Sequence, residues 1–552
     1  MPRKWSTFFN RNSTLQRPWG FPDQPPLSNT LASTNNSPTI LLTTLNARFA
    51  HTAIGLRYLY ANMQHLQGET EIMEFTINDA LQDIAEKIVA RNPKIIGIGV
   101  YIWNVRECAI LTEIIKKVSP QTHLIIGGPE VSYNPLRIEF PHVDYIIQGE
   151  ADLAFYQLAQ TLLAGIVPTQ TTIHAAPVDM ATLALPYDFY SDADIAHRYI
   201  YIEASRGCPF RCEFCLSSIA NQVRNVETEH LRIILEKLWQ RGARNFKFID
   251  RTFNLNIKIA GQLLDFFLSK SAPYFLHFEV IPDHFPEALK NRLAQFPAGA
   301  LQLEIGIQTL NATVAERISR PLKRENIDRN ITFLDTQTQA HMHLDLIVGL
   351  PGETIESFAN GLNELYALSH SEIQIGILKK LSGTSLHRHD DQFGMVYSDQ
   401  PPYDILQNHQ IDFHTMQKIK RFARFWDLYY NRGNFKETLP LLWHDGDVFG
   451  HFYAFSQWLY AQTESTWKIS LERLAEYLFQ HLAEQHPTQI NRIGATMIHD
   501  LMKHGDRKMP GFLKPYSDGR YKMGVINTAL GTTPTQAKLT TGTHNKRQKR
   551  HQ

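Results

Sequence analysis

Three closely spaced cysteines are the residues of this chain best suited to chemistry. They are Cys208, Cys212 and Cys215 in the sequence RGCPFRCEFC, directly after an apolar, strand-like run. Thiolates are the soft ligands that iron–sulfur clusters require. A cubic [4Fe–4S] cluster held by three cysteines keeps one iron without a protein ligand. Because an open coordination position distinguishes a reactive metal site from a structural one, this spacing predicts a reactive [4Fe–4S] cluster.

Zinc and a disulfide are the other uses of clustered cysteines. A structural zinc ion takes four ligands, but the remaining cysteine, Cys108, lies far upstream and the cysteine loop contains no histidine. Three clustered cysteines and one distant cysteine also make a poor disulfide framework. Zinc stays open as the lesser alternative. Cys108 occupies an apolar position of a helical pattern and is expected to pack in a core.

The bulk composition limits the class of protein. With 552 residues, the chain is expected to fold into three or four domains. Its 55 basic and 54 acidic side chains nearly cancel, so charge favours neither nucleic acid nor a membrane as a partner. No apolar run reaches the roughly 20 residues that span a bilayer. Four cysteines in this length favour a reducing compartment, and the cytoplasm is expected.

Both ends of the chain have the composition of disordered segments. Residues 1–37 are rich in Asn, Ser, Thr and Pro and lack the hydrophobic stretch of a signal peptide, so a disordered leader is expected. Residues 521–552 are polar and end in NKRQKRHQ, which predicts a disordered basic tail.

Residues 38–169 alternate short apolar runs with helical patterns. The runs are TILLTTL, EIMEFTI, KIIGIGVYI, THLIIGG and DYIIQG. This alternation predicts an α/β fold with a doubly wound parallel sheet, similar to a Rossmann fold. The ligand of such a sheet lies beyond the carboxyl ends of its strands. The candidate ligand-binding residues at these ends are Asn46, Ala47, Tyr101, Trp103, Gly127, Gly128, Glu130, Gly149 and Glu150.

Two further domains are predicted beyond a linker over 170–194. Six strand-like runs alternate with helical patterns over 195–387, which predicts an incomplete (β/α)6 barrel. Residues 388–520 are rich in aromatic residues at helical spacing, which predicts an α-helical domain.

The strands of the predicted barrel alternate apolar and polar residues. In HMHLDLIVG, for example, His341, His343 and Asp345 alternate with apolar residues. Because the apolar rows must face the surrounding helices, the polar rows are expected to face the barrel interior. A polar interior indicates a ligand cavity, so these three residues are expected to line a substrate cavity. A second metal site at His341, His343 and Asp345 is the lesser alternative.

The cysteine spacing, Phe214 just before the third cysteine, the preceding α/β domain and its segments GGPEVS and QGEAD resemble the cobalamin-binding branch of the radical SAM superfamily. The resemblance implies a [4Fe–4S] cluster on the three cysteines, S-adenosylmethionine (SAM) on its open iron, and cobalamin at the strand ends of the first domain. The SAM-binding residues that it implies are Phe214, Asp250, Glu304, Val348, Gly349 and Leu350.

One motif of many cobalamin proteins is absent. The Asp-x-His-x-x-Gly sequence that supplies an axial histidine does not occur, and His51, near the first strand end, has the wrong spacing. His51 is therefore expected to be an ordinary histidine at a helix start, and the lower face of cobalamin to meet apolar residues. By the same resemblance, Arg317 and Arg320 are within reach of a ligand carboxylate, although two solvated helix arginines are an equal alternative.

The resemblance implies an enzyme, most directly a C-methyltransferase. Reduced cobalamin would take a methyl group from one SAM, a second SAM would yield a 5′-deoxyadenosyl radical that removes a substrate hydrogen, and methylcobalamin would return the methyl group. A rearrangement, cyclisation or oxidation is the first alternative, and a non-catalytic iron–sulfur or corrinoid sensor the second. The expected partners are a substrate of unknown identity and an electron donor such as flavodoxin or ferredoxin.

Overall fold

The computed structural model describes residues 37–220, 222–443, 445–503 and 507–517. The expected disordered leader, apart from its last residue, and the expected basic tail lie outside the described residues. Within them the chain forms two parallel sheets with flanking helices, followed by a helical region. The predicted fold class is confirmed. None of the described helices is long and apolar enough to cross a membrane.

The first sheet is fully parallel, with the strand order β2-β1-β3-β4-β5-β6. Because the order reverses between β1 and β3, the crevice for a ligand is expected at their carboxyl ends. The strands are β1 Ile40–Asn46, β2 Thr70–Thr76, β3 Ile95–Gly99, β4 His123–Gly127, β5 Tyr145–Gly149 and β6 Thr172–Ala175. The helices are α1 Ile54–Ala61, α2 Leu81–Val89, α3 Val105–Val118 and α4 Ala151–Leu163.

Each face of the first sheet is covered by two helices. Helices α2 and α3 pack on one face with α3 contributing Cys108 and Leu111, and α1 and α4 pack on the other with Leu56 and Phe155. This two-sided burial explains why the strands read as nearly continuous apolar runs. Cys108 is fully buried and has no disulfide partner, which confirms that it packs in a core.

The segment predicted to be a linker contains regular structure. Strand β6 extends the first sheet, and helix α5 (Asp192–His197) follows it. The side chains of Asp194 and Arg198, from this helix and its C-terminal boundary, form a buried ion-pair network with Arg57 of α1 and Glu74 of β2. The segment is therefore attached to the first domain at both of its ends, through β6 near its start and through Asp194 at its end.

The second sheet is also parallel, with the order β14-β13-β12-β11-β10-β7. A short antiparallel hairpin, β8 with β9, follows β7. The strands are β7 Ile200–Ile202, β8 Ser205–Arg206, β9 Arg224–Asn225, β10 Asn245–Phe248, β11 Phe275–Val280, β12 Leu301–Gln308, β13 His341–Val348 and β14 Glu372–Ile377. The helices are α6 Thr228–Gln240, α7 Ile257–Leu268, α8 Glu287–Leu293, α9 Ala312–Arg317, α10 Arg324–Gln337 and α11 Ile355–Leu368.

The C-terminal region covers the open edge of the second sheet. Trp426 donates its indole N–H to the Ile373 carbonyl at 3.0 Å, and the Asn431 amide pairs with both backbone groups of Ile373. These contacts satisfy backbone groups of the edge strand β14 that a further strand would otherwise bind. The elements of this region are α12 Asp390–Phe393, β15 Val396–Tyr397, β16 Ile405–Gln407, α13 Phe413–Trp426, α14 Val448–Thr463, α15 Leu471–Gln485 and α16 Ile490–Met502.

Candidate functional site

The three cysteines lie in the loop that joins β8 to β9. The hairpin closes the base of this loop, since Ser205 and Arg206 pair with Asn225 and Arg224. Inside the loop, the Cys208 N–H bonds to the Ala220 carbonyl at 3.0 Å. The loop follows β7, so the thiols lie at the carboxyl ends of the second sheet. Strand-end loops are where such folds place their active sites.

The three cysteine thiols are free and largely shielded from solvent. Cys208 and Cys212 are buried, Cys215 is half-buried, and none forms a disulfide. Burial raises the pKa of Cys208, and negative charge on Cys215 and Cys212 raises it further. Cys208 is therefore a neutral thiol until a bound metal displaces its proton. The residues present fit an iron–sulfur cluster with three protein ligands.

Arg320 is the positive side chain nearest to these sulfurs in the described structure. Its Nη1 lies 3.4 Å from Cys212 Sγ, and its Nη2 donates to the Gly306 carbonyl. Arg317 instead donates to the Pro351 carbonyl at 2.6 Å and lies over the Phe393 ring. The alternative of two solvated arginines is therefore wrong, because both guanidinium groups have specific protein partners.

Glu213 attaches the cysteine loop to the C-terminal region, a role that sequence reasoning missed. This buried carboxylate accepts from Ser319 Oγ at 2.7 Å, lies 2.8 Å from His389 Nε2, and pairs with Arg388. Its backbone N–H also bonds to the Ile318 carbonyl. The sequence gives no signal for this anchor, because residues 213 and 389 meet only through the tertiary fold.

A cavity of about 660 Å³ opens at the carboxyl ends of the first sheet. Its size is within the usual range for cofactor pockets. The cysteine-loop hairpin contributes Ser205, Arg206, Gly207 and Ser217 to its wall. Eight of the nine residues predicted at the strand ends line it: Asn46, Ala47, Tyr101, Trp103, Gly127, Gly128, Gly149 and Glu150. The cavity is therefore shared by the first domain and the cysteine loop.

Glu130 is the ninth predicted residue, and the structure does not place it in this cavity. Its carboxylate accepts a hydrogen bond from Tyr403 Oη of the C-terminal region, and burial raises its pKa. The short 3-10 turn after Gly128 directs Glu130 away from the strand ends. Glu130 thus joins the first domain to the C-terminal region.

Two aromatic side chains form a flat wall of the cavity. Tyr101 and Trp103 stack with ring centroids 4.5 Å apart and planes within 6° of parallel. The Trp103 indole N–H donates to the Leu45 carbonyl at 3.1 Å, which fixes the ring, and 41% of the residue remains exposed. A large fixed aromatic surface that is partly exposed is suited to a planar apolar ligand such as a corrin.

Gly128 is required by the backbone at the end of β4. Its φ is +116°, and a Cβ there would lie 2.5 Å from the Val100 carbonyl oxygen. Both observations exclude other residue types without a shift of the backbone. The close approach is thus between two strand ends of the cavity wall, rather than between the glycine and a ligand.

His51 lies in the shared cavity, contrary to the expectation of an ordinary helix-start histidine. Its Nδ1 lies 2.7 Å from Tyr201 Oη, across the boundary between the two sheets. Burial lowers the pKa of His51 to about 4, assisted by Lys247 and Arg48. The imidazole is therefore neutral near pH 7 and available as a hydrogen-bond partner or ligand.

Arg206 joins the cavity wall to the cysteine loop. Its guanidinium pairs with Asp152 at 2.9 Å and Glu150 at 3.3 Å, both from the first domain, and with Glu203 at 2.9 Å after β7. Arg224 holds Glu150 from the other side. Because Arg206 directly precedes the loop of Cys208, this network fixes the loop against the first domain.

The polar rows of the second sheet face its interior, as the alternation predicts. His277 Nε2 lies 3.0 Å from Glu304, and the Gln302 and Gln374 amides lie near His343. Burial alone would raise the pKa of Glu304, but the hydrogen bond from His277 and the nearby Lys247 lower it to about 2. Burial lowers the pKa of His277, so a neutral imidazole donates its Nε2–H to the Glu304 carboxylate.

The three residues expected to line one substrate cavity lie on the same face of β13 and have different partners along it. Asp345 interacts electrostatically with Glu304 and Glu279 near the middle of the sheet, and burial raises its pKa. His341 and His343 contact Glu372 instead, at the amino ends of β13 and β14. The polar row continues through the whole interior, and its two histidines lie at the end remote from the cysteine loop.

The residues expected to bind SAM are spread over several environments. Glu304 belongs to the polar row of the second sheet, beside His277. Phe214 packs against the hydrophobic core that the second sheet shares with the C-terminal helices. Asp250 is buried and bonds to Ser205 Oγ and the Ala204 N–H, and burial raises its pKa to about 7. Val348 and Leu350 are fully buried core residues, so their side chains face no open cavity.

Gly349 between them has a φ of +91°, and a Cβ there would lie 2.7 Å from Ile405 of the C-terminal region. The segment after β13 thus packs directly against β16, and its side chains do not face a cavity.

A parallel sheet with a strand-end cavity, joined to a three-cysteine loop on a second parallel sheet, defines a metal- and cofactor-binding α/β protein. Family descriptions match its successive parts. "B12 binding domain" matches residues 40–159, and "Radical SAM superfamily" matches residues 202–365. "Protein of unknown function (DUF4080)" matches residues 391–550. The chain thus carries a B12-binding domain, a radical SAM domain and a DUF4080 domain, which confirms the resemblance found in the sequence.

Curated relatives match more than half of this chain. The cobalamin-dependent radical SAM methyltransferase TokK of Streptomyces tokunonensis is 24% identical over 352 residues, which are 57% of this chain and 51% of TokK. The uncharacterized methyltransferase PH0819 of Pyrococcus horikoshii is 24% identical over 373 residues, 60% of this chain and 77% of that protein. The match to TokK therefore spans about half of the relative's length.

Solved structures share the fold. The cobalamin-dependent S-adenosylmethionine radical enzyme OxsB, with aqua-cobalamin and S-adenosylmethionine bound, covers 86% of this chain and 84% of its own with a TM-score of 0.55 and 12% identity. The radical S-adenosylmethionine methyltransferase TsrM from Kitasatospora setae, with cobalamin and a [4Fe–4S] cluster bound, has a TM-score of 0.51 and 17% identity, and covers 66% of this chain and 78% of its own. At these identities the likeness concerns the fold.

Proposed function

We propose that this chain is a cobalamin-dependent radical SAM enzyme, and that it transfers a methyl group to carbon. The carrying observation is the shared cavity, whose wall combines the strand ends of the B12-binding domain with the cysteine-loop hairpin. A methyl carrier and a radical generator must reach one substrate, and a single cavity between the two sheets allows this. The similarity to the cobalamin-dependent radical SAM methyltransferase TokK supports the same proposal.

Each cofactor has a proposed set of protein contacts. Cys208, Cys212 and Cys215 would hold the [4Fe–4S] cluster, and Glu304 would be the polar interior contact for SAM. Asp250, Phe214 and the Val348–Leu350 backbone are the further SAM contacts that the family resemblance suggests. The cobalamin contacts are the eight strand-end residues that line the cavity. When bound, the cluster supplies the electron that cleaves SAM and cobalamin carries the methyl group.

The protein's own groups position these parts. Arg206 fixes the cysteine loop against the first domain, and Arg320 places positive charge beside the Cys212 sulfur. The stacked Tyr101 and Trp103 exclude water from one side of the cavity. The neutral His51, held by Tyr201, is the polar group at the boundary between the sheets. These residues keep two reactive centres at a fixed separation.

The domain boundaries follow from this assignment. We propose a cobalamin-binding domain over 38–169, a radical SAM core over 195–387 and a helical domain over 388–520. The segment 170–194 carries β6 and so completes the first domain's sheet. An oxygen-sensitive cluster also requires a reducing compartment such as the cytoplasm and an electron donor of the flavodoxin or ferredoxin type.

The test uses anaerobically purified chain, reconstituted with iron, sulfide and cobalamin and then reduced with dithionite in the presence of SAM carrying a CD3 group. We expect 5′-deoxyadenosine, and the label on the extracted corrinoid. Cys212→Ala should form no 5′-deoxyadenosine while it still retains corrinoid. The matched control is Cys108→Ala, which removes a buried cysteine outside the loop and should keep both activities.

Each outcome separates the alternatives. Without 5′-deoxyadenosine from the wild-type chain, the radical SAM proposal fails. If 5′-deoxyadenosine forms but the corrinoid stays unlabelled, the methyl-transfer part fails, and a rearrangement, cyclisation or oxidation takes its place.

A further inference from the structure

Three potential metal ligands converge at the amino ends of β13 and β14. His341 Nε2 lies 3.1 Å from His343 Nε2 and 2.9 Å from a Glu372 carboxylate oxygen. His343 Nε2 lies 3.3 Å from the second oxygen of the same carboxylate. The donor atoms of all three residues thus lie within 4.8 Å of one another.

The strand register explains why these side chains meet. His343 and Glu372 are direct partners in the parallel pairing of β13 with β14, so both face the barrel interior. His341 lies two residues before His343 and therefore faces the same way. Both strands begin here, which places the cluster at the end of the barrel opposite the cysteine loop. It is separate from the cavity that serves the proposed cofactors.

The carboxylate of Glu372 and the two histidines are almost completely buried. The side chain of Glu372 is 0% exposed, and those of His341 and His343 are 10% and 8% exposed. A buried carboxylate is stable only with a positive partner and satisfied oxygens. A divalent cation held by this carboxylate and the two imidazoles would contribute such a charge.

The spacing of the donor atoms suits a transition metal. Tetrahedral ligands at the 2.0–2.1 Å bond lengths of zinc lie roughly 3.3 Å from one another. The two histidine nitrogens, 3.1 Å apart, are close to this value, and each lies 2.9 or 3.3 Å from one of the two oxygens of the Glu372 carboxylate. Two imidazoles and one carboxylate are also a donor set of catalytic zinc and non-haem iron sites.

Two glutamine amides lie on the outer side of His343. The Gln374 amide nitrogen lies 2.8 Å from its Nδ1, and the Gln302 amide nitrogen lies 3.4 Å from the same atom. A metal ion at Nε2 requires the proton on Nδ1, so Gln374 would have to present its carbonyl oxygen instead, by a 180° rotation of the amide. Gln374 is therefore the residue within reach of the atom that a metal-bound His343 must protonate.

We propose that His341, His343 and Glu372 bind one divalent transition-metal ion of the zinc class at the base of the barrel, in addition to the iron of the cysteine loop. The ion would join β13 to β14 at the end where the polar interior row reaches the amino ends of the strands. This proposal does not depend on the proposed reaction, because it uses none of the residues assigned to the cofactors.

The test measures zinc in the full-length, cluster-loaded chain after equilibrium dialysis against micromolar Zn²⁺. We expect one more equivalent of zinc in the wild type than in His343→Gln or His341→Asn, and zinc binding at least tenfold weaker in both variants. The matched control is His370→Gln, which changes an exposed histidine two residues before Glu372 and should keep the full equivalent. Because His341 is the first residue of β13, its substitution should preserve the fold.

X-ray absorption at the zinc edge identifies the ligands. Nitrogen and oxygen scatterers without sulfur support the site. Sulfur scatterers would mean that the cysteine loop holds the zinc and would overturn the proposal. Equal zinc content in the wild type and in both folded histidine variants would also overturn it, and thermal unfolding of each variant establishes that it is folded.

Discussion

Removal of Arg206 should loosen the cysteine loop from the first domain. The Arg206 guanidinium pairs with Asp152 and Glu203 at 2.9 Å each and with Glu150 at 3.3 Å. Only 17% of its side chain is exposed, and those of Asp152 and Glu203 are 8% and 9% exposed. In Arg206→Ala, these two buried carboxylates lose their shared cation, whereas Glu150 keeps Arg224.

The expected size of the effect follows from this burial. Loss of one partner of a buried ion pair costs about 3–5 kcal/mol. We take about 3 kcal/mol, because Arg206 keeps some contact with water. Since each 1.4 kcal/mol is a factor of ten, the opening equilibrium of the loop should rise about 100-fold. The change should be local, because the ion pairs of Arg57 and Arg198 lie elsewhere in the first domain.

Hydrogen exchange followed by mass spectrometry measures this opening peptide by peptide. Peptides that span β8, the cysteine loop and the start of α4 should exchange about 100-fold faster in Arg206→Ala, and peptides from β1 should not change. Arg232→Ala is the matched control, since Arg232 and Glu229 are 53% and 60% exposed and such a pair contributes at most about 1 kcal/mol. If both variants exchange alike at the loop, the reasoning about Arg206 is wrong.

Three further predictions concern the cavity and its surroundings. Gly128→Ala should lower stability and corrinoid binding together, since its Cβ would lie 2.5 Å from the Val100 carbonyl oxygen; unchanged binding by absorbance titration would contradict this. Trp103→Ala should weaken corrinoid binding about tenfold without changing the melting temperature, because its partly exposed ring lines the cavity. Burial raises the pKa of Asp250 from 3.8 to about 7, so its contribution is fully present below pH 3.8 and is lost as the pH rises to about 7. Asp250→Asn should therefore flatten the fall in stability between about pH 4 and pH 7. The flattening is partial, because burial also raises the pKa of Glu353 to about 7, and an unchanged pH profile would refute the prediction.

The strands were predictable because buried strands appear in the sequence as short apolar runs. Five runs of the first sheet and six of the second consist of Ile, Leu, Val and Phe at the positions that face helices, and each became a strand. Strand β6 was missed because Thr172–Ala175 lies at the sheet edge, where it is half-buried or exposed and needs no apolar run. Composition alone made this stretch look like a linker.

The candidate site was predictable where chemistry depends on local spacing. Cys208, Cys212 and Cys215 lie within one loop, so their separation along the chain carries the signal. Contacts between distant segments leave no such signal. The pairing of His51 with Tyr201, for instance, required the packing of one sheet against the other.

Glu372 shows an intermediate case. It lies two residues before Gln374 and therefore on the same face of β14, but it was not among the residues predicted to line the barrel interior. Its meeting with His341 and His343 required the register of β13 with β14. The sequence suggested Asp345 as the third member of this group, because a register cannot be read from either strand alone.

The central claim is that three thiolates hold a cubic cluster and keep one iron open for SAM. Mössbauer spectroscopy of the ⁵⁷Fe-reconstituted, oxygen-free chain, with and without SAM, tests it most directly. We expect a [4Fe–4S] signal in which one iron site changes when SAM is added. The absence of a cubic cluster, or a cluster in which the signals of all four irons stay unchanged when SAM is added, would mean that no iron is open for SAM.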